Sequence, residues 1–322
     1  MPFSVFLLIK PTSILARALL ALLLFLPAAA GAQTIYSWTG EDGITHFTDR
    51  KPETSAEVSI QRAVPRRDEL LIIESTGTDE APVWLFRNRA HGPLEVEVEF
   101  AEADNVVSYP ELPARFVLPP DSARELVTIG ALDPRRSWRY RLQSRALPGD
   151  PQAEPDLSHA YRPPFAEGES FRITQGFDGS FSHNQPHSRH ALDFDMPVGT
   201  PVHAARAGVV MDHARFFYRA GEDLERDGPR ANFIRILHDD GSMAVYAHLD
   251  YEGVEVRPGD RVRRGQRIGR SGNTGFSTGP HLHFVIQVNR GLALESIPFV
   301  FEGPEESTIR PVEGMQVSAP NH

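Results

Sequence analysis

His281 and His283, separated by one residue, follow a loop rich in Gly, Ser, Thr and Asn that runs from Gly272 to Pro280. Side chains alternate across a strand, so residues two apart point the same way. An H-x-H pair at a strand start therefore sends two imidazoles into one space. One of them is then able to bind a metal ion and the other to carry protons. The bland alternative is two surface histidines on a strand. Another histidine closes a strand-like run in Tyr246-Ala247-His248-Leu249. A further candidate group is His190-Ala191-Leu192-Asp193-Phe194-Asp195, just before the turn Met196 to Val202. Alone, such a histidine is more often structural, and such a carboxylate usually faces solvent. Their clustering argues otherwise: ten of the 13 histidines lie between His159 and His283.

Composition closes several other routes. The 322-residue chain has no cysteine, which removes disulfides and thiolate nucleophiles. Beyond residue 32 the only lysine is Lys51, so Schiff-base chemistry and a P-loop are not expected. Formal charge is −10, and loss of Lys10 and Arg17 with an N-terminal leader makes it −12. No nucleic-acid partner is expected for so acidic a protein. Gly275-Phe276-Ser277-Thr278-Gly279 matches the G-x-S-x-G of serine hydrolases. That motif needs a strand before it and a helix after it, whereas here the strand-like H-x-H segment follows.

The elements that must position these groups read as mainly β. Residues 1–32 form a signal-peptide pattern: Lys10 and Arg17, an apolar run from Ala18 to Pro27, and a small-residue cleavage site at Ala30-Gly31-Ala32. The run is short for a membrane span, so no integral membrane domain is expected. No cysteine follows it to carry a lipid. Within residues 33–64, Ile35 to Trp38 and Ile44 to Phe47 flank an Asp-Gly turn, a β-hairpin signal. Residues 65–147 hold short alternating runs, the cleanest being Leu94 to Phe100, and are expected to form a β-sandwich of immunoglobulin type. Residues 148–164, rich in Pro, Asp and Glu, read as a linker. Residues 165–305 are expected as an antiparallel β-rich domain, with a surface insertion at 216–230 and Asp239-Asp240-Gly241 as a hairpin turn. Residues 306–322 read as a tail.

Taken together, the histidine and aspartate motifs resemble the zinc peptidases of the LytM and lysostaphin type, peptidase family M23. The resemblance runs from about Phe171 to Phe301. It includes the Asp193 strand, the turn Pro197 to Val202, Ala207 to Val210, Ile236 to His238, Tyr246 to Leu249, Val256 to Asp260, Gly265-Gln266, Ile268-Gly269 and Gly272 to Phe284. The N-terminal segment resembles a small hairpin domain of unknown function found at the start of exported proteobacterial proteins.

The resemblance implies one Zn²⁺ held by a histidine, Asp193 and His283, with His248 and His281 as the catalytic pair. The usual H-x-x-x-D spacing for the first histidine falls on Arg189, which has no lone pair to offer a metal. Relatives with an insertion here put the ligand at His183 and leave His190 in an aromatic position; His190 is the alternative and His187 the third choice. His238 is expected either to support the site or to be an exposed turn residue. Val285 stands where many relatives have Glu, and little effect is expected. The implied substrate is the peptide stem or cross-bridge of peptidoglycan, in the periplasm or cell envelope. The resemblance also admits a non-catalytic activator of other wall hydrolases, acting on a cell-envelope protein partner.

Overall fold

A computed structural model describes residues 69–320, residues 38 and 58, and the backbone of the strands Phe3–Phe6, Thr34–Thr39, Thr45–Thr48 and Ser59–Arg62. Apart from Phe3–Phe6, which pairs antiparallel with Arg139–Pro148, the expected leader lies outside the described residues. The expected hairpin forms. Thr34–Thr39 pairs with Thr45–Thr48, and Ser59–Arg62 adds a third strand on its other side. No helix among the described residues is long and apolar enough to cross a membrane.

The next unit is two antiparallel sheets packed face to face. One has the order Leu71–Ser75, Val83–Asn88, Ser122–Ala131, Val106–Tyr109. In the other, Leu94–Asp104 lies between Ala114–Leu118 and Arg139–Pro148. Alternation drives this packing: Leu94, Val96 and Val98 turn inward to join Phe86, Trp84, Leu118, Val127 and Ile129 in one core. Each fully buried side chain of this size stabilises by roughly 1.5–3 kcal/mol. The chain crosses between sheets at Asn105, whose φ of 54° suits Asn, and its amide bonds the carbonyl and N–H of Asp133.

The C-terminal half forms one large sheet. Its order is Arg261–Val262, Gly208–Ala214, Asn232–Leu237, Met243–Val254, Leu282–Asn289, Leu192–Phe194, Ser170–Gln175, Gln316–Ser318. Phe165, Phe194, Tyr246, Phe284 and Phe301 fill its core, all essentially inaccessible. The 239–241 turn closes as expected, with Gly241 at φ +80° and His238 N–H bonded to Ser242 O.

Three boundaries differ from expectation. The 148–164 segment is packed rather than free: Gly149 bonds Pro93 and Asn289, Ala160–Tyr161 pairs with Val300–Glu302, and Tyr161 is core. Its Pro and acidic content mimics a linker, but its one tyrosine, Tyr161, is buried. Residues 306–322 are not a tail, because Gln316–Ser318 pairs with Ser170–Gln175 and buries Val317 and Ala319. The insertion is only partly on the surface, since Phe217 packs on Phe233, Val245 and Val285.

The sandwich docks at the ends of strands far from the histidines. Glu95, which alternation places outward, is buried and accepts hydrogen bonds from Asn289 Nδ2 (2.8 Å) and Leu292 N–H (2.6 Å). Ala90 packs on Met211 and Met243 beside it. Met243 and His248 share a strand, five residues or about 17 Å apart along it.

Candidate active site

Strand register brings the first residues together. Asp193 on Leu192–Phe194 lies opposite His283, and His283 lies opposite Ala247 on the other side. His283 Nδ1 is 2.9 Å from Asp193 Oδ1, and His281, on the same face two residues earlier, puts Nε2 3.8 Å from that oxygen.

His248 needs a different device. It follows Ala247, so strict alternation would send it to the opposite face. Asn232 pairs with Leu249 and Phe233 with Ala247, which leaves His248 as the extra residue of a bulge, with φ +60°. Bulges re-aim side chains, and left-handed backbone in a non-glycine residue persists only where its surroundings enforce it. Here the ring turns into the site, 4.5 Å from the His281 ring and 5.8 Å from that of His283 between centroids. Asn232, fully buried, enforces the turn: its Nδ2 donates to Leu249 O (3.3 Å) and Asp250 O (2.9 Å), just after His248. Its N–H donates to Thr274 Oγ1, which donates in turn to Leu249 O.

His183 comes from the loop between Ser170–Gln175 and Leu192–Phe194. It is completely buried, its Nδ1 bonds Gly176 O at 2.9 Å, and its Nε2 sits 3.2 Å from Asp193 Oδ1. The other first-histidine candidates lie elsewhere. His190 Nδ1 bonds Ser296 O at 2.8 Å and its ring packs on Phe177. His187 is exposed and its carbonyl accepts from Gln287. Arg189 is exposed and pairs with Asp178. His238 neither joins the site nor is exposed: it is buried against Tyr161, with Nδ1 on Ala207 O.

His183, Asp193 and His283 are the group among the described residues whose ligand atoms, one from each, lie within 4.8 Å of one another. A tetrahedral zinc with ligands at about 2.1 Å spaces them about 3.4 Å apart, so the set fits one such ion with modest adjustment. The donor chemistry fits too. A carbonyl only accepts, so His183 Nδ1 carries the proton toward Gly176 O and its Nε2 faces the carboxylate with a lone pair. That buried nitrogen makes no well-formed hydrogen bond. His248 Nδ1 on Thr274 O (2.7 Å) and His281 Nδ1 on Gly279 O (2.8 Å) are fixed in the same way, and each presents Nε2.

Electrostatics agree with this arrangement. Burial alone would raise the Asp193 carboxyl, but the imidazoles of His183, His283 and His281 around it outweigh that and hold it well below the usual range. Burial pushes His248 down to about 3, with His281 and His283 adding to the effect, so it is neutral at physiological pH. Burial also lowers His283, against the pull of Asp193. His183 is raised, because Asp193 outweighs its burial.

Ser277 is a buttress rather than a nucleophile. Its Oγ lies 2.6 Å from Asn273 Oδ1 and 2.8 Å from Gly279 O, and the nitrogen of His281 it approaches, Nδ1 at 3.3 Å, is already bonded to Gly279 O. A strand follows it, not a helix.

Residues 187–294 match the model of peptidase family M23, and residues 21–67 match a domain of unknown function, DUF4124. The M23 match lies within the C-terminal domain and covers about a third of the chain. The match begins after His183, so geometry rather than the match locates that residue. The peptidoglycan DD-endopeptidase ShyA of Vibrio cholerae is 40% identical over 124 residues, 37% of this chain and 25% of that protein. Lysostaphin of Staphylococcus simulans is 37% identical over 115 residues, 34% of this chain and 21% of that one. The alignments therefore span about a quarter or less of each of these relatives. The solved catalytic domain of lysostaphin matches at 31% identity over 38% of this chain and 80% of that one, with a TM-score of 0.27.

Proposed function

We propose that this chain is a zinc metalloendopeptidase that hydrolyses peptide cross-links or stem peptides of bacterial peptidoglycan, exported to the periplasm by the leader at 1–32. The convergence of His183 Nε2 and His283 Nδ1 on Asp193 Oδ1 is the observation that carries the reading. Two histidines and one carboxylate leave a fourth coordination position open, as in catalytic rather than structural zinc sites. A zinc bound there supplies Lewis acidity, polarising the scissile carbonyl and acidifying a water molecule. The family match and the similarity to a peptidoglycan DD-endopeptidase support the substrate class.

The remaining steps belong to the chain's own residues. His248 and His281 each present Nε2, because Thr274 O and Gly279 O hold their Nδ1–H groups. Between them they take the proton released as water attacks the amide and return one to the departing amine. The bulge at His248 and the Asn232–Thr274 clamp keep one of these bases oriented before substrate arrives. Incubation of purified sacculi with the protein tests this. New amino and carboxyl ends should appear by mass spectrometry, stop with a chelator and return with Zn²⁺. Sacculi left intact under all conditions would overturn the hydrolase reading.

A further inference from the structure

The two oxygens of Asp193 have different surroundings. Oδ1 faces the three histidines, at 2.9, 3.2 and 3.8 Å. Oδ2 accepts a hydrogen bond from Gln175 Nε2 at 3.1 Å. The same amide nitrogen donates to Ser182 Oγ at 2.6 Å, and Gln175 Oε1 lies 3.4 Å from Ser182 N–H. Ser182 is the residue before His183. One side-chain amide thus bridges the backbone that carries His183 and the outer oxygen of Asp193.

The surrounding loop is shaped for that amide. A Cβ on Gly179 would lie 2.4 Å from Gln175 Cγ and 2.9 Å from its Cδ. The glycine's carbonyl also accepts from His183 N–H at 2.9 Å, so the place reserved for Gln175 and the place of His183 are set by the same turn. An ordinary surface glutamine has neither a bridging bond of this kind nor a neighbour without a side chain to admit it.

We propose that Gln175 is a positioning residue that holds Asp193 as a one-oxygen metal ligand and sets its spacing to His183. This rests on the reading of His183, Asp193 and His283 as a metal centre. By engaging Oδ2, the amide leaves Oδ1 alone to face the ion and prevents the carboxylate from taking the position that water needs. Hydrogen-bonded partners of metal-ligating carboxylates typically contribute about 10–100-fold to metal affinity.

The test uses the full chain and four proteins: wild type, Gln175→Met, Gln175→Ala and Gly179→Ala. Gln175→Met keeps the length and apolar body without the amide, and Gly179→Ala displaces the amide without changing it. Zinc affinity is measured by competition with a chelator, the coordination number by the visible spectrum of the Co²⁺-loaded protein, and folding by thermal unfolding of the metal-free protein. The expected result is metal-free unfolding close to wild type, zinc binding about 10–100-fold weaker, and a weaker cobalt spectrum as the carboxylate becomes bidentate. Zinc affinity and cobalt spectra equal to wild type in the folded variants would overturn the role of Gln175. Absence of zinc from the wild type itself would overturn the metal-centre reading, and this proposal with it.

Discussion

The molecule gathers histidines in two places. At one, His183, His281 and His283 surround Asp193. At the other, His159 and His238 flank Tyr161, with ring centroids 4.9 and 5.9 Å away, near Asp240. Each place leaves imidazole nitrogens buried without a hydrogen bond: Nε2 of His183 in the first, Nε2 of His159 and His238 in the second. The difference lies in the carboxylate. Asp240 is already saturated: Ser242 N–H and Oγ bond one oxygen, and Asp156 N–H and Arg206 Nη1 the other. Its charge is spent on a guanidinium. Asp193 has no arginine, and its inner oxygen meets only imidazoles. Buried histidines become a candidate metal centre where a carboxylate with free lone pairs points among them.

Exchanging each carboxylate for its amide should separate the two places most sharply. Asp193→Asn is expected to hold no zinc through gel filtration and to release no muropeptides. Asp240→Asn should keep both properties and lose about 1–3 kcal/mol of stability in denaturant unfolding, because Arg206 and the N–H groups of Asp156 and Ser242 lose a charged acceptor. Loss of zinc from Asp240→Asn would erase the distinction.

Within the first place, His248→Ala and His281→Ala should each slow turnover by about 10²–10⁴-fold while the zinc content stays at the wild-type level. Metal loss in either would move that residue from the proton-handling pair to the ligand set. Metal analysis beside steady-state kinetics reads both quantities.

The smallest effect concerns the second place. Burial lowers His238 from 6.5 to about 4. A depressed pKa means that the unfolded chain binds this proton first as pH falls. The stability contributed by neutral His238 is therefore present above about pH 6.5 and lost as pH drops toward 4. His238→Gln should leave zinc and cleavage unchanged and make the unfolding midpoint less sensitive to pH between those limits. An equally steep acid limb in the variant would show that His238 does not set it.

Much of the site was legible because strand alternation is a local rule. It put His281 and His283 on one face, and the turn from Pro197 to Val202 located Asp193. His183 was not legible from spacing, because the loop from Gly176 to Ala191 is longer than the usual H-x-x-x-D allows and the position it would use holds Arg189. Gln175 and Asn232 carried no signal of their own. They act through hydrogen bonds to segments as far away as residue 274, which no local pattern encodes. His248 was found although alternation alone points it the wrong way, since the bulge that rescues it depends on tertiary contacts. The fold was read less evenly. The strands of both β domains follow from alternating apolar residues, whereas Gln316–Ser318 is too short and polar to announce itself. Glu95 shows the limit of alternation: the pattern assigns it to solvent, but a second domain covers that face.

The most direct test of the account is zinc content and muropeptide release for the purified protein, beside His183→Ala and His190→Ala. About one zinc per wild-type chain is expected, as an open catalytic site holds, with His183→Ala losing both metal and cleavage and His190→Ala keeping both. A wild-type protein that binds no zinc and releases nothing would contradict it and leave the activator reading of this domain in its place.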